Sequence, residues 1–490
     1  MKNLLPILAL DFYKLSHREM AVEGVTKMYE TWTARGTRIK EIPSVTWFGM
    51  QGLIKKQLIN YFNEEFFGLK IEDIVNEYKR VLKHTLGIDD ADTSHIEELH
   101  SLGYLPIKIC AVQEGLAIPV RTPMMTLENT DERFAWLVGY LETLISCELW
   151  HISTSASIAR RYRDIADEWG MKTCGNTDHV DFQMHGFEMR GMASLDASMN
   201  SGAGHLLSFK GSDTVPAYNY LENYYNANIE KELVITSIPA SEHTLQCTYS
   251  DDYEYIDTII TKKIPTGMVS IVMDGYDYFN VLTKTLPKLK NKILARDGKV
   301  IVRGDSGCPI EITCGKEMIN PSTPEEKGSI ELLWDLFGGT INEQGYKVLN
   351  EKIGYIYGDS ITLERADEIF RRLEAKGFSS SNVALGVGSF TYQYVTRDTF
   401  MHALKCTYAV INGEEKFIYK NPKTDNGVKK SQKGMVAVLR DENGVIYYKD
   451  ELHKIDKDAL MGEDLLIPIF EDGKLLIDDS LANIRVRMSK

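Results

Sequence analysis

The stretch that decides the fold is MVSIVMDGYD, residues 268–277, in which an apolar run ends at an aspartate and a glycine. The same order recurs in KVIVRGDSG at 299–307 and in IGYIYGDS at 353–360. A fourth copy, NVALGVGS at 382–389, keeps the glycines and lacks the aspartate. Continuous apolar strands that alternate with helical patterns are typical of a parallel sheet covered on both faces. These segments therefore predict an α/β domain, either a closed barrel or an open sheet.

Polar side chains follow these predicted strands at the point where each strand ends. In such folds ligands bind at the carboxyl ends of the strands, so Asp274, Asp305 and Asp359 are expected at one edge. Carboxylates there can hold Mg²⁺, directly or through water, or accept hydrogen bonds from ribose hydroxyls. Aspartate and glycine are also favoured in plain turns, but several corners in register favour a polar ligand site. The segment HLLSFKGSD, residues 205–213, has the same strand-to-corner form and predicts that Asp213 joins this edge.

Composition limits the classes of function. The chain has 490 residues, 43% of them hydrophobic and 26% charged, which predicts a globular protein with two or more cores. The net charge of −14 argues against a general nucleic-acid binder, because such proteins cluster Lys and Arg against phosphates. No apolar run reaches the roughly 18 residues of a membrane span. Seven scattered cysteines without a CxxC pair, and an N-terminus that does not have the form of a leader, predict a cytoplasmic chain with reduced thiols.

The flanking regions have other patterns. Apolar residues recur at the helical period between Asp131 and Tyr162 and predict a core helix, with acidic residues in its first turn. From about Met401 the β-α alternation gives way to short strands and hairpins, for example 404–410 followed by the tight-turn pair Asn412-Gly413. A basic loop lies among them at 420–433.

A histidine and several cations are candidates for chemistry. His243, at the end of IPASEH, is either a structural residue or a nucleophilic or acid-base group, and no second histidine at ligand spacing supports a zinc site. Arg190, Arg303, Arg397 and Lys405 lie near glycines and either clamp phosphates or are solvated surface cations. The motifs GxxxxGK[ST] and GxSxG are absent, and no GxGxxG opens a helix after an early strand.

Taken together, these segments resemble the nicotinamide phosphoribosyltransferase family over nearly the whole chain. The motifs are short, but their order and spacing are specific. The residues that carry the resemblance are LDFYK at 10–14 with His17, ENTD at 128–131, Phe187 with Arg190-Gly191, FKGSDT at 209–214, PASEH at 239–243, DGYD at 274–277, RGDSGCP at 303–309, Gly358-Asp359 and TRD at 396–398.

The resemblance implies a fold and a reaction. The expected architecture is an irregular α/β barrel at 151–399, which carries the active site, joined to a mostly β (α+β) domain built from 1–150 plus 400–490. The expected reaction transfers the ribose 5-phosphate of phosphoribosyl pyrophosphate to nicotinamide, giving nicotinamide mononucleotide and pyrophosphate in NAD salvage. Mg²⁺, held mainly through phosphates and water, is the implied metal, and ATP is an activating co-substrate. The family forms homodimers in which the neighbouring subunit completes each active site.

The resemblance also implies roles around the base. Phe187 stacks on one face of the pyridine ring and Tyr13 of the other subunit on the opposite face. Asp213 accepts a hydrogen bond from the carboxamide NH₂ and would repel the carboxylate of nicotinic acid. Three further positions match the family around the base, namely Asp11, Ser270 and Arg303.

His243 matches the histidine that the family phosphorylates with ATP, and Asp274 matches the carboxylate that orients it. Asp305 belongs with them as a catalytic residue near the ribose. The implied phosphoribose and phosphate ligands are Arg190, Gly358, Asp359, Gly388, Arg397 and Lys405. Arg35 and Lys420 match ligands of pyrophosphate or ATP.

The chain departs from the family pattern at three places. The loop GVGSF at 386–390 stands where the family has a longer run of glycines, and Ala403 stands where a phosphate-binding serine is common. Met189 replaces an aromatic residue beside the base. These changes affect expected contacts to the phosphate and to the base.

Three alternative functions also fit parts of the sequence. Nicotinate phosphoribosyltransferase has the same chemistry, but Asp213 argues against it. A non-catalytic binding or signalling member of the family would be expected to lack His243, Asp274 or Arg303. A sugar hydrolase with two strand-end carboxylates accounts for the aspartate corners but gives Arg190 and His243 no role.

Overall fold

The computed structural model describes residues 3–420 and 431–489, and the chain divides into two compact units. The first unit comprises Met1–Ser157, Tyr220–Ala227 and Val395–Lys490, and the second comprises Ile158–Asn219 and Asn228–Tyr394. The α-helices are His17–Met20, Met50–Leu53, Ile71–Leu86, Ser94–Leu102, Ala135–Cys174, Leu195–His205, Pro216–Tyr225, His243–Cys247, Asp252–Thr258, Tyr278–Asn280, Leu286–Leu294, Pro309–Cys314, Pro324–Lys327, Ser329–Phe337, Leu363–Ala375, Ser389–Tyr392, Lys454–Ala459 and Leu481–Met488. None of the helices in the described residues has both the length and the apolar character needed to cross a bilayer.

The second unit is built around a parallel sheet of five strands, as the aspartate corners predict. In spatial order the strands are Met184–Gly186, Ala384–Val387, Ile353–Tyr357, Val300–Gly304 and Val269–Val272. The apolar side chains Ile271, Val302 and Tyr357 are fully buried, which explains the continuous apolar runs in the sequence. The prediction of a parallel α/β sheet is therefore confirmed.

Single residue pairs continue the parallel pairing beyond both edge strands of this sheet. Three isolated parallel bridges join Gly186 to Ser212, Gly211 to Thr236, and Ala240 to Ser270. Backbone bonds also tie neighbouring corners together past the strand ends, since Met273 N–H donates to the Arg303 carbonyl at 3.0 Å and Gly358 N–H donates to the Gly304 carbonyl at 3.1 Å. The corners are thereby held in register at one edge.

The apolar segment 206–209 is not a strand, in contrast to its prediction. It forms the turn that ends helix Leu195–His205, where Phe209 N–H donates to the His205 carbonyl at 3.1 Å. All four side chains are buried, and an apolar run alone does not distinguish a buried strand from a buried turn. The residues that pair with the sheet are the following Gly211 and Ser212.

Helix Leu363–Ala375 of the second unit buries one face. In Leu363–Ala375 the buried residues Ala366, Ile369, Phe370 and Leu373 recur at the helical period, and Thr362 caps the N-terminus by accepting from Arg365 N–H at 3.2 Å. Gly339–Ile341 and Lys347–Leu349 form a separate antiparallel pair.

The first unit contains an antiparallel sheet that draws strands from both ends of the chain. In spatial order its seven strands are Glu414–Phe417, His402–Ile411, Val25–Ala34, Pro123–Asn129, Ile107–Ala111, Ile467–Glu471 and Lys474–Leu475. The predicted hairpin is present, because Asn412 and Gly413 both take positive φ angles, 53° and 80°, between the first two strands of this order. Two short pairs accompany the sheet, Ser44–Thr46 with Ala117–Pro119 and Met435–Arg440 with Ile446–Leu452.

Two further sequence predictions concern the long helix and the basic loop. The core helix predicted between Asp131 and Tyr162 is confirmed and extends further, as Ala135–Cys174, after a short 3₁₀ turn at Glu132–Phe134. Residues 421–430 of the basic loop lie outside the described residues.

Candidate active site

Asp213 lies at the sheet edge, directly after the bridge residues Gly211 and Ser212. His185 Nε2 lies 2.9 Å from its Oδ1 atom, and the Ser237 hydroxyl donates to the same oxygen. Within residues 3–420 and 431–489, Oδ2 has no hydrogen-bonding partner. Burial alone would raise the pKa of Asp213, but the bonds from His185 and Ser237 and the charge of Arg303 lower it. Asp213 is therefore an ionised acceptor with one oxygen available.

Phe187 presents its ring beside this carboxylate. The rings of His185 and Phe187 have centroids 4.8 Å apart, and the Arg303 guanidinium carbon lies 5.4 Å from the Phe187 ring centroid. Gly386 packs beneath the ring, since a Cβ atom there would come within 2.5 Å of Phe187 Cδ2. An aromatic face, a cation and an acceptor thus meet at one place, which suits a flat polar ring.

A cavity of about 500 Å³ opens beside these groups. Its polar lining includes His185, Asp213, Ser237 and the predicted residue Ser270, and most of the rest of its surface is apolar. Phe187 also lines it. A cavity of about 150 Å³ suffices to bind benzene, so this one has room for a single heteroaromatic ring and more.

Arg303 and Asp305 form a bidentate ion pair at the end of strand Val300–Gly304. Arg303 Nε donates to Asp305 Oδ1 at 2.9 Å and a terminal nitrogen donates to Oδ2 at 2.6 Å, while the other terminal nitrogen reaches the Ser241 carbonyl at 3.3 Å. Gly358 leaves space for this pair, because a Cβ atom there would lie 2.2 Å from Asp305 Oδ1. These two parallel hydrogen bonds hold the guanidinium and the carboxylate in one plane, next to the neighbouring strand ends.

His243 and Asp274 form a second pair at the same edge. His243 Nε2 lies 2.9 Å from Asp274 Oδ1, and Asp274 Oδ2 accepts from Asp305 N–H at 2.9 Å. The Asp274 side chain is buried, whereas that of His243 is 43% exposed. Burial would raise the pKa of Asp274, but bonds from Ser306, Asp305 N–H and His243 lower it. An ionised carboxylate therefore orients an accessible imidazole whose Nδ1 has no partner in the described part of the chain.

The three side chains of this cluster bring possible metal-ligand atoms together. One atom each from His243, Asp274 and Asp305 lies within 4.8 Å of the others. The carboxylate oxygens already accept bonds from His243, Asp305 N–H and Arg303, and Mg²⁺ prefers six oxygen ligands in octahedral geometry. The cluster therefore fits Mg²⁺ held through water and ligand phosphates better than a cage made of protein atoms.

The remaining predicted residues of the second unit lie on neighbouring corners. Asp359 is exposed and accepts from the Ser360 hydroxyl at 2.8 Å. Arg190 is exposed on the 3₁₀ turn Met189–Gly191, and a Cβ atom on Gly191 would lie 2.0 Å from Ser389 Oγ. Gly388 follows strand Ala384–Val387, and the space where its side chain would lie is open. Together Asp359, Arg190 and Gly388 form an accessible, partly cationic rim at the strand ends.

Six predicted residues belong to the first unit. Asp11 Oδ2 accepts from the Thr143 hydroxyl at 3.2 Å, and the exposed Tyr13 ring lies 5.1 Å from that of His17. The positions of the other four are as follows: Arg35 Nε donates to the Met401 carbonyl at 3.2 Å, Arg397 is exposed and lies 3.6 Å from Asp398, Lys405 Nζ donates to Glu142 at 2.8 Å, and Lys420 is exposed.

The structure adds residues that the sequence prediction did not select. His185 and Ser237 hold Asp213, and the Ser241 hydroxyl accepts from Val272 N–H at 3.0 Å. His185 had a signal in the sequence, because alternate residues of a strand share a face and His185 precedes Phe187 by two positions. Ser237 had none, since its partner is distant in sequence, and Ser241 had only its place in the PASEH motif.

Glu188 is another residue that the sequence prediction did not select, and it is fully buried next to Phe187 in the chain. The Ser201 hydroxyl donates to its Oε1 at 3.4 Å, and Oε2 has no partner among residues 3–420 and 431–489. Burial raises the pKa of Glu188 to about 7. The raised pKa means that the folded chain binds this proton more tightly than the unfolded chain does.

Glu188→Gln is expected to stabilise the protein at alkaline pH. The raised pKa costs stability as pH rises from about 4.5 to about 7, and the cost then stays constant at up to about 3 kcal/mol. The melting temperature of the variant should therefore exceed that of the wild type at pH 8 by several degrees more than at pH 5. Equal differences at both pH values would contradict the raised pKa.

The fold and the site define an α/β enzyme whose reactive groups lie at the carboxyl ends of parallel strands. A sequence model of the nicotinate phosphoribosyltransferase (NAPRTase) family matches residues 182–455. The chain is 41% identical to a curated nicotinamide phosphoribosyltransferase of Acinetobacter baylyi, over 99% of this chain and 97% of that protein. It is 33% identical to the protein of the same name from Mycoplasma pneumoniae, over 86% of this chain and 93% of that one.

The fold comparison agrees with the sequence comparison. Human nicotinic acid phosphoribosyltransferase superposes with a TM-score of 0.58 at 14% identity, covering 98% of this chain and 92% of that one. Nicotinate-nucleotide pyrophosphorylase from Pyrococcus furiosus gives 0.56 at 16% identity, covering 99% and 95%. The chain belongs to the nicotinate phosphoribosyltransferase family, and it is a phosphoribosyltransferase.

Proposed function

We propose that this chain transfers the 5-phosphoribosyl group of phosphoribosyl pyrophosphate to nicotinamide, forming nicotinamide mononucleotide and pyrophosphate in NAD salvage. The observation that carries the proposal is the available Oδ2 atom of the ionised Asp213, beside Phe187 at the cavity. The bacterial relatives at 41% and 33% identity, both named nicotinamide phosphoribosyltransferase, support it.

The base is selected by charge. The carboxamide of nicotinamide donates an N–H to Asp213 Oδ2, whereas the carboxylate of nicotinic acid would place two negative charges in contact at a partly buried site. Phe187 stacks on the pyridine ring, and Arg303, held by Asp305, lies over the Phe187 ring. Ser270 lines the same cavity.

The sugar phosphate occupies the rim. Breaking the anomeric C–O bond builds positive charge on the ribose ring and negative charge on the leaving pyrophosphate. In this proposal Asp305 and Asp359 accept hydrogen bonds from ribose hydroxyls and stabilise the cationic ring. The proposed phosphate ligands are Arg190, Gly388, Arg397 and Lys405, and the proposed ligands of pyrophosphate or ATP are Arg35 and Lys420.

Mg²⁺ is the proposed metal. Asp305 and Asp359 would hold it through water, with the remaining ligands from the substrate phosphates. When bound, the ion neutralises negative charge on the leaving pyrophosphate.

ATP is the proposed activator, acting through His243. Nε2 of the imidazole faces Asp274, so Nδ1 is the nitrogen left to attack the γ-phosphorus of ATP, forming an N–P bond as the bond to ADP breaks. The ionised Asp274 stabilises the positive charge that develops on the ring.

The finer architecture that we propose is an irregular barrel. The bridges at Gly211, Ser212, Thr236 and Ala240 form a path of parallel pairs from strand Met184–Gly186 around to strand Val269–Val272, the opposite edge of the sheet. This path supports closure by short segments in place of full strands.

The active unit that we propose is a homodimer in which Tyr13 of one subunit completes the site of the other. Co-expression of Tyr13→Ala with Asp213→Ala should then restore about a quarter of wild-type activity at low nicotinamide, because half of the dimers are mixed and each has one intact site. Differently tagged chains allow the mixed dimers to be isolated and assayed. Activity no higher than the average of the two variants alone would contradict shared sites.

A product assay tests the proposed reaction. The chain receives phosphoribosyl pyrophosphate and Mg²⁺ with equal nicotinamide and nicotinic acid, with and without ATP, and the mononucleotides are resolved by mass. We expect nicotinamide mononucleotide to dominate and to increase with ATP. Dominant nicotinic acid mononucleotide would favour the alternative base, and no product from either base would favour a non-catalytic role.

A further inference from the structure

Glu142, on helix Ala135–Cys174, holds two lysines with one carboxylate. Its Oε1 accepts from Lys405 Nζ at 2.8 Å, and its Oε2 accepts from Lys14 Nζ. Lys14 follows Tyr13 on the 3₁₀ turn Phe12–Ser16, and Lys405 lies on strand His402–Ile411. One side chain therefore joins two segments separated by nearly the whole sequence.

The two lysines differ in burial. The Lys14 side chain is 5% exposed, so its ammonium group depends on Glu142 for charge compensation. Lys405 is 46% exposed and can reach an incoming anion while it keeps its contact with Glu142. Burial would raise the pKa of Glu142, but the bonds from Lys14 and Lys405 lower it, so the carboxylate is ionised.

Glu30 lies near Glu142 but does not supply the negative charge that the two lysines need. Burial, and then the charge of Glu142, raise the pKa of Glu30 to about 8. Glu30 is therefore largely neutral at pH 7, and the positive charge of Lys14 and Lys405 is met by Glu142.

We propose that Glu142 is a positioning residue that fixes the Tyr13 segment and Lys405 for substrate. The proposal rests on the function proposed above, in which Tyr13 stacks on the base and Lys405 faces a phosphate. Without Glu142, Lys405 gains rotamer freedom that phosphate binding must remove, and the unpaired buried Lys14 displaces its turn. Both substrates should then bind less tightly, while the reacting groups of the second unit are unchanged.

Steady-state kinetics of Glu142→Gln test this role. We expect KM for phosphoribosyl pyrophosphate and for nicotinamide to rise about tenfold each, with kcat within about threefold of wild type. The matched control is Glu148→Gln on the same helix, because Glu148 is similarly exposed at 22% and pairs with Lys56 at 3.6 Å. The control should leave both KM values unchanged.

A double-mutant cycle separates positioning from a general structural effect. In a Lys405→Gln background, Glu142→Gln should raise KM for phosphoribosyl pyrophosphate less than twofold, because the residue it acts through is gone. If Glu142→Gln does not fold, Glu142→Asp carries the same test, since it keeps the charge but is one methylene shorter. If the wild type is active, unchanged KM values in Glu142→Gln or additive effects in the cycle would overturn this proposal. A wild type without transfer activity would overturn the proposed function together with it.

Discussion

Replacing Asp213 by asparagine is expected to change the preference for nicotinamide over nicotinic acid by about a hundredfold or more. The variant loses the negative charge that repels the acid, and its amide can donate to a carboxylate. The partners His185 and Ser237 remain in place to hold the side chain. The measurement is kcat/KM for each base at saturating phosphoribosyl pyrophosphate, and Asp213→Ser should shift the ratio in the same direction.

The control for this prediction is Asp277→Asn. Asp277 is an exposed rim carboxylate that caps Asn280 N–H at 3.0 Å, so its substitution makes the same change of charge without touching the cavity. In this control the ratio of kcat/KM for nicotinamide to that for nicotinic acid should stay within about twofold of wild type, since exposed surface charges contribute little to binding. An unchanged ratio in Asp213→Asn, with activity retained, would remove the amide-reading role.

The edge that carries the site could be predicted because its pattern is local. Each buried strand shows as an apolar run, and each corner as glycine with aspartate, so Asp274, Asp305 and Asp359 follow from strand ends. The hairpin at Asn412-Gly413 follows from turn chemistry in the same way. Parallel pairing then brings residues 31 and 53 positions apart to neighbouring corners without further information.

The supporting contacts could not be predicted because they depend on distant pairing. Ser237 reaches Asp213 across a single parallel bridge, and a bridge of one residue has no periodic signature. The apolar run at 206–209 predicts a strand, and this prediction is wrong because burial of every side chain hides the end of the helix before it. Glu142 sits inside an otherwise apolar helix pattern, where a glutamate usually indicates a solvated face.

Replacing His243 by alanine is expected to abolish stimulation by ATP. The ratio of rates with and without ATP should fall to about one, while the ATP-free rate stays within about threefold of wild type, because the groups that bind base and sugar are retained. Asp274→Asn should weaken stimulation without abolishing it, since it keeps the contact with Nε2 but loses the charge that stabilises a phosphorylated ring. The phosphoryl adduct on residue 243 is followed directly by mass spectrometry at neutral pH.

His84→Ala is the matched control, because His84 is an exposed histidine of the first unit and is not among the predicted site residues. It should keep both the stimulation and the adduct.

The two readouts distinguish the outcomes for His243. Stimulation that persists in His243→Ala would mean that ATP acts elsewhere on the chain. Loss of the ATP-free rate as well would mean that the imidazole takes part in the transfer itself, since Asp274 and Asp305 remain linked by the 2.9 Å bond from Asp305 N–H in its absence. Only loss of stimulation with the basal rate intact assigns the phosphoryl group, and thus the coupling to ATP, to this histidine.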